Sequence, residues 1–229
     1  MKLTLSHRRM QPTAYPGVYR RSDKLFTINP PACHGTTVYT EHLVTEDDTE
    51  YRSWNPYRSK LAAALLKNLP VTIPTNNPIL YLGAATGTTV SHIADINAGG
   101  TVYAVENAPL TMAKLLEVAR KRVNIIPILA DANHPDRYAA IVPRVGLVYQ
   151  DIAQRNQAEI FLANLERYLT AAGVGILMVK ARCIDVALPP KEAYQRVSQS
   201  LQHEGYRVEK TMDLAPYDKD HAVLVVRRG

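Results

Sequence analysis

From Ile79 onward, short apolar runs alternate with stretches whose apolar residues recur at helical spacing, the pattern of βαβ units around a mostly parallel sheet. The runs predict strands at Ile79–Leu82, Thr101–Val105, Asn124–Leu129, Val145–Gln150, Gly175–Lys180, Arg207–Asp213 and Ala222–Arg227, most of them apolar enough for burial on both faces. Between them, Met112, Leu115, Leu116 and Ala119 fall at i, i+3, i+4, i+7, as do Ala158, Phe161, Leu162 and Leu165. Tyr194, Val197 and Leu201 make a third stripe, and all three stripes read as core. The short polar connection from Leu214 to His221 leaves no room for a crossover helix, so the last two strands should pair antiparallel.

Before Ile79 the texture changes. Tyr15–Tyr19, Lys24–Asn29 and Thr36–Tyr39 carry β-type residues punctuated by Pro12, Pro16, Pro30 and Pro31, which predicts a small antiparallel β unit. A helix over Lys60–Asn68, capped by Ser59 or Asn55, should pack Leu61, Leu65, Leu66 and Leu69 onto the α/β body. The expected division is a small N-terminal β domain over 1–54 and an α/β domain over 55–229.

The first α/β strand empties into Gly83-Ala84-Ala85-Thr86-Gly87-Thr88-Thr89, a glycine-bounded turn opening a helix. Glycine tolerates positive φ and lets a ligand approach the backbone. Ala85 stands where a dinucleotide loop needs its middle glycine, and no lysine follows Gly87, so neither NAD, FAD nor a nucleoside triphosphate is indicated. A nucleoside ligand without a phosphate chain fits better, S-adenosylmethionine being the common one, although an ordinary tight βα connection has equal weight on the loop alone. Glu106, ending the second α/β strand, stands where an acid accepts hydrogen bonds from two ribose hydroxyls, and this favours the ligand reading. Asp131 follows the third strand on the same carboxyl edge, where it could accept from an adenine amino group. Asp151 and Lys180 end the next two strands. As neighbours they would bring opposite charges together, the carboxylate orienting the ammonium, or form a purely structural ion pair.

Composition narrows the setting. At 229 residues, 46% of them hydrophobic, the chain can build a substantial core. The apolar runs are strand-sized and the start Met1 to His7 lacks a signal-peptide core, which points to the cytoplasm. Cys33 and Cys183 have neither metal-ligand spacing nor the makings of a disulfide framework, and no metal site is expected. A formal charge of +6 permits a polyanionic partner. Basic pairs such as Arg8-Arg9, Arg20-Arg21 and Arg227-Arg228 read equally as solvated faces.

Six motifs in order resemble the fibrillarin family: Trp54 to Ala64, Leu82 to His92, Tyr103 to Glu106, Asp151 to Gln154, Lys180 to Arg182, and Asp218 to Ala222. The resemblance covers almost the whole chain and includes a segment ahead of the sheet that other methyltransferases do not share. It implies a Rossmann-like class I methyltransferase with a seven-stranded, mostly parallel sheet whose last strand is antiparallel. It also implies transfer of a methyl group from S-adenosylmethionine to ribose 2'-hydroxyls of rRNA and tRNA, as the catalytic subunit of a box C/D ribonucleoprotein acting in rRNA and tRNA processing. The implied partners are a box C/D guide RNA with its target, a Nop-domain scaffold protein and a kink-turn-binding ribosomal-type protein. Lacking a Gly/Arg-rich leader, the chain resembles the shorter archaeal form.

Residue by residue, the resemblance assigns cofactor contacts to Thr88, Thr89, Glu106, Asn107, Asp131, Ala132, Asp151, Ile152, Ala153 and Gln154, to which the loop reading adds Gly83. It matches Lys60, Asp151, Lys180 and His221 to a catalytic Lys-Asp-Lys-His set. Lys180 is the candidate to accept the ribose proton, with Asp151 holding its head group and His221 orienting Lys180 or the ribose. Asn107 replaces an expected aromatic residue, while Thr86 and Cys183 each stand for a serine. The alternatives are a small-molecule or protein methyltransferase, which needs neither Lys60, Lys180 nor His221, and a non-catalytic assembly subunit that keeps the pocket for stability.

Overall fold

Two sheets organise residues 9–229, the part that the computed structural model describes; Met1 to His7 and the Arg8 of the first basic pair lie outside it. The N-terminal sheet is antiparallel, with strands β1 (Gln11–Pro12), β2 (Val18–Arg21), β3 (Lys24–Ile28), β4 (Leu43–Glu46) and β5 (Thr49–Trp54) in the order β1-β2-β3-β5-β4. Helix α1 (Lys60–Leu66) follows, capped by Ser59, whose hydroxyl accepts from the Ala62 amide at 3.4 Å. Leu61, Leu65 and Leu69 are buried, as the spacing predicts.

The second sheet contains β6 (Ile79–Leu82), β7 (Val102–Glu106), β8 (Ile125–Leu129), β9 (Val145–Gln150), β10 (Leu169–Lys180), β11 (Tyr206–Asp213) and β12 (His221–Arg228). Their order is β11-β12-β10-β9-β6-β7-β8; β12 runs antiparallel to both its neighbours and the pairs from β10 to β8 are parallel. Helices α2 (Thr88–Ile96), α3 (Pro109–Lys121), α4 (Gln157–Tyr168), α5 (Ala181–Ile184) and α6 (Pro190–His203) complete the body. Side-chain alternation divides the core: Ile79, Tyr81, Leu147, Tyr149, Ile176 and Met178 face one apolar cluster, while Leu80, Leu82, Val148, Leu177 and Val179 face the other. The first cluster also takes in Val18, Leu25 and Trp54, so the two sheets share a core.

Buried charges tie the sheets together as well. Arg52 of β5 reaches Glu41 at 2.6 Å, Asp95 of α2 at 2.7 Å and the Ser91 hydroxyl at 3.0 Å, and Asp95 in turn accepts from Arg122 at 2.7 Å. Burial alone would raise the Glu41 carboxyl, but the Arg52 guanidinium and the amides of Tyr39 and Val38 outweigh it and hold the group below the usual carboxylate range.

Several details differ from the sequence pattern. Thr36–Tyr39 is irregular rather than a strand, because the Glu41 carboxylate binds the amides of Val38 and Tyr39 and Thr40 has φ +66°. The strands there are β4 and β5, whose polar positions conceal their pairing. Leu116 is 46% exposed and not core. Strand β11 lies at the sheet edge with most of its side chains exposed, and β10 begins earlier than its apolar run because Leu169 already pairs with Val145 ahead of a register break. Among the described residues no helix is long and apolar enough to cross a membrane.

Candidate active site

The carboxyl ends of the parallel strands carry the chemistry, as they do in open α/β sheets. Gly83 has φ +81°, and a Cβ there would stand 2.6 Å from the Asp151 carbonyl oxygen; Gly87 has φ +101°, and a Cβ there would stand 2.9 Å from Val118. The loop therefore needs glycine at both places. Ala85, also at positive φ, donates its amide to Glu106 Oε2 at 2.8 Å. The amide of Ala108 and the Thr111 hydroxyl bind Glu106 Oε1 at 2.8 and 3.0 Å, so the carboxylate is held in one orientation with a lone pair to spare on Oε2.

Seven predicted cofactor residues, Gly83, Glu106, Asn107, Asp131, Ala132, Ile152 and Gln154, line one slot together with Val105 and Ala130. Asp131 Oδ1 accepts from the Asn133 amide at 2.9 Å and from its side chain at 2.8 Å, and these bonds hold its carboxyl below the usual range. Thr88 is not among the slot's lining; it borders a separate cavity beside the loop. The Thr89 hydroxyl is engaged with Ser59 Oγ at 3.0 Å, so Thr89 has its backbone amide left for a ligand. Ala153 is exposed.

The four predicted catalytic residues converge, with one change of partner. Lys60, the first residue of α1, places Nζ 2.9 Å from Asp151 Oδ1 and 3.1 Å from Oδ2. Strand order pairs Asp151 with Lys180, but the helix cap directs Lys60 to it instead, and Lys180 makes no ion pair among the described residues. His221 opens β12 directly opposite Lys180 in the antiparallel register. Its Nδ1 lies 2.9 Å from the Lys219 carbonyl, which can only accept, so Nδ1 carries a proton.

Two further residues complete the group. Asp218 stands 2.8 Å from His221 Nδ1 and 4.0 Å from Lys60 Nζ, linking the lysine and the histidine. It lies in the Asp218 to Ala222 motif, which is the signal that could have singled it out. Buried Gln157 donates to the Lys180 carbonyl at 3.2 Å and accepts from its amide at 3.0 Å, fixing the end of β10; no spacing in the sequence marks it. Beneath the site, Tyr81 and Tyr149 pack with ring centroids 4.6 Å apart, and burial followed by the nearby Asp151 charge raises Tyr81.

The arrangement thus joins a narrow slot to a mixed cationic and anionic cluster on one sheet edge. Comparison with known proteins agrees. A family model described as Fibrillarin matches residues 7–229. The fibrillarin-like rRNA/tRNA 2'-O-methyltransferase of Methanocaldococcus jannaschii is 47% identical over 192 residues, covering 83% of this chain and 84% of the relative. Aeropyrum pernix fibrillarin, solved in complex with natively bound S-adenosyl-L-methionine, superposes with a TM-score of 0.86 at 40% identity, over 95% of this chain and 97% of that one. A chain of a fibrillarin/Nop5p complex superposes with a TM-score of 0.87 at 42% identity, over 95% and 100% of the two chains.

Proposed function

The chain belongs to the fibrillarin family, and on that premise we propose that it methylates ribose 2'-hydroxyls of rRNA and tRNA, with S-adenosylmethionine as donor and the site chosen by pairing with a box C/D guide RNA. The observation that carries this reading is the Lys60–Asp151 ion pair on the same sheet edge as the Gly83 and Glu106 cradle. A methyltransferase acting on small molecules has no need of that second, charged cluster. The reading includes recruitment by a Nop-domain scaffold protein, since a related chain was solved with Nop5p, and by a kink-turn-binding ribosomal-type protein, with service in rRNA and tRNA processing.

The residues fit the cofactor. Gly83 lets the loop pack against the Asp151 carbonyl where a Cβ would collide, and Glu106, held by three donors, keeps a lone pair on Oε2 for a ribose hydroxyl. Asn107, Asp131, Ala132, Ile152 and Gln154 wall the slot, and the amides of Thr88 and Thr89 are available at the start of α2. Asp151 and Ala153 follow on the β9 edge. S-adenosylmethionine, when bound, supplies an electrophilic methyl group on a sulfonium.

The chain's own side chains then have two tasks, because a protonated ribose hydroxyl is a poor nucleophile and must be aligned at near-attack distance. Lys60 and Asp151 hold each other in a two-point contact and so present a fixed pair of hydrogen-bonding groups to the ribose. Lys180, not engaged by Asp151, is assigned the hydroxyl proton, which it accepts as the unprotonated amine. His221, with Nδ1 occupied, offers Nε2 to orient the Lys180 amine or the ribose.

Reconstitution tests this. The chain, a guide RNA, a Nop-domain protein and a kink-turn-binding protein, incubated with labelled S-adenosylmethionine, should place label on one ribose that moves when the guide's pairing segment is changed. Label independent of the guide, or none, would overturn the reading.

A further inference from the structure

Beside the Gly83 to Thr89 loop lies a second cavity, of about 450 Å³, bounded by the 36–39 segment, the turn before α1, the start of α2 and the outer face of α3. The reaction as derived does not use it. Its charged lining is Arg58, Lys114, Lys121 and Arg122 against a single acid, Glu117. Two of these charges are already satisfied: Arg122 by buried Asp95 at 2.7 Å, and Glu117 by Arg120 at 2.7 Å. Among the described residues Arg58, Lys114 and Lys121 have no carboxylate partner; the Arg58 guanidinium carbon only lies 5.9 Å from the Tyr39 ring centroid. Three uncompensated cations thus converge on a concave space that Thr37 and Thr88 also line. Such a site attracts an anion.

We propose that this cavity holds phosphodiester groups of the RNA strand that carries the target ribose. The proposal rests on the RNA methylation reading above. Arg58 is two residues from Lys60, and Thr88 is adjacent to Thr89, which is bonded to the α1 cap, so the cavity adjoins the reacting centre. A ribose presented to Lys60 and Lys180 belongs to a chain with a phosphate at every nucleotide. That chain must leave the catalytic edge in both directions, and one direction meets these cations. Lys114 and Lys121 stand on one face of α3, two turns apart, and so can follow a backbone without reading bases.

The test compares the full chain with a Lys114→Ala/Lys121→Ala variant and a Lys114→Arg/Lys121→Arg control; both lysines are exposed on α3, so folding is not at stake. The affinity for a single-stranded RNA of target sequence is measured by fluorescence anisotropy over a salt series. Affinities for S-adenosylmethionine and for the Nop-domain protein are measured by calorimetry. We expect the alanine variant to bind RNA roughly tenfold more weakly near physiological salt, with its log–log salt slope reduced by about 1.4, or about 0.7 for each lost phosphate contact. The arginine control should bind as the parent does, and the other two affinities should hold. Unchanged RNA affinity and slope would overturn the proposal. Weaker cofactor binding would assign the cavity to the methyl donor, and weaker scaffold binding with RNA affinity intact would assign it to an acidic protein segment; either overturns it too. Absence of guided methylation by the parent chain would sink the functional reading alone, because the RNA-binding comparison needs no turnover.

Discussion

Lys60 Nζ sits 2.9 Å from one carboxylate oxygen of Asp151 and 3.1 Å from the other, across 91 residues of sequence. One partner comes from the N-cap turn of α1 and the other from the end of β9, so the contact joins the segment ahead of the sheet to the sheet edge. Neither group is fully buried, at 22% and 21% side-chain exposure, which leaves the pair accessible to a substrate.

Because the two groups act as one unit, their losses should not add. Lys60→Ala and Asp151→Ala should each lower the single-turnover methylation rate by about 10²- to 10³-fold, on the scale of a lost positioned catalytic group, and the double variant should be no slower than the worse single one. Quenched-flow measurement with saturating cofactor checks this; multiplicative losses would mean that the two side chains act separately. Lys180→Ala should remove turnover while leaving cofactor affinity unchanged.

The residue types of this cluster are legible in the sequence, but their pairing is not. Strand order predicts Asp151 beside Lys180, since β9 and β10 are neighbours. The observed pairing depends on where the Ser59 cap points the first residue of α1, which no strand pattern encodes. The same distinction holds in the fold. Fully apolar β6 and the apolar stretch of β12 stand out as runs, whereas β4 and β5 mix Thr, Glu and Arg because Arg52 is buried by charge pairing rather than apolarity. Asp218 was visible only as part of a motif, and Gln157 was invisible, because its role is two backbone hydrogen bonds made by the fold.

The loop glycines give a second expectation. At Gly83 the nearest obstruction is a backbone oxygen, which cannot swing aside as a side chain could. Gly83→Ala should therefore cost about 1 to 3 kcal/mol of stability through strain at positive φ and weaken S-adenosylmethionine binding at least tenfold. Denaturant titration and calorimetry report the two effects separately. At Gly87 the obstruction is the Val118 side chain, so Gly87→Ala combined with Val118→Ala should recover part of the loss.

Buried and exposed ion pairs should differ sharply. Arg52 and Asp95 are fully buried, and Arg52→Ala leaves the buried Glu41 carboxylate without its guanidinium and Asp95 with Arg122 alone, at a cost of about 3 to 5 kcal/mol. Glu117 and Arg120 are 65% and 72% exposed; Arg120→Ala should change stability by less than about 0.5 kcal/mol. Urea unfolding midpoints with unchanged slopes would establish both values.

The fourth expectation concerns acid. His92 is fully buried, stacked on Trp54 with ring centroids 4.7 Å apart, and hydrogen-bonded through Nδ1 to Thr27 and through Nε2 to Tyr39, each at 2.8 Å. Burial, reinforced by the Arg52 and Arg122 charges, holds the imidazole well below its ordinary value of 6.5. The folded chain therefore keeps His92 neutral in a range where the unfolded chain binds a proton there. The stabilisation is complete above about pH 6.5 and declines as pH falls below it, by up to about 1.4 kcal/mol per pH unit, until the folded-state value is reached. His92→Gln removes the titrating group while keeping a side chain with donors and acceptors. Whatever it costs in absolute stability, its unfolding free energy should fall less steeply than the parent's between about pH 6.5 and 5. Glu41 and Asp95 titrate in the same network, but they remain in both proteins, so the difference in slope isolates the histidine. Parallel stability curves for parent and variant would show that His92 takes up a proton in the folded state as readily as in the unfolded one.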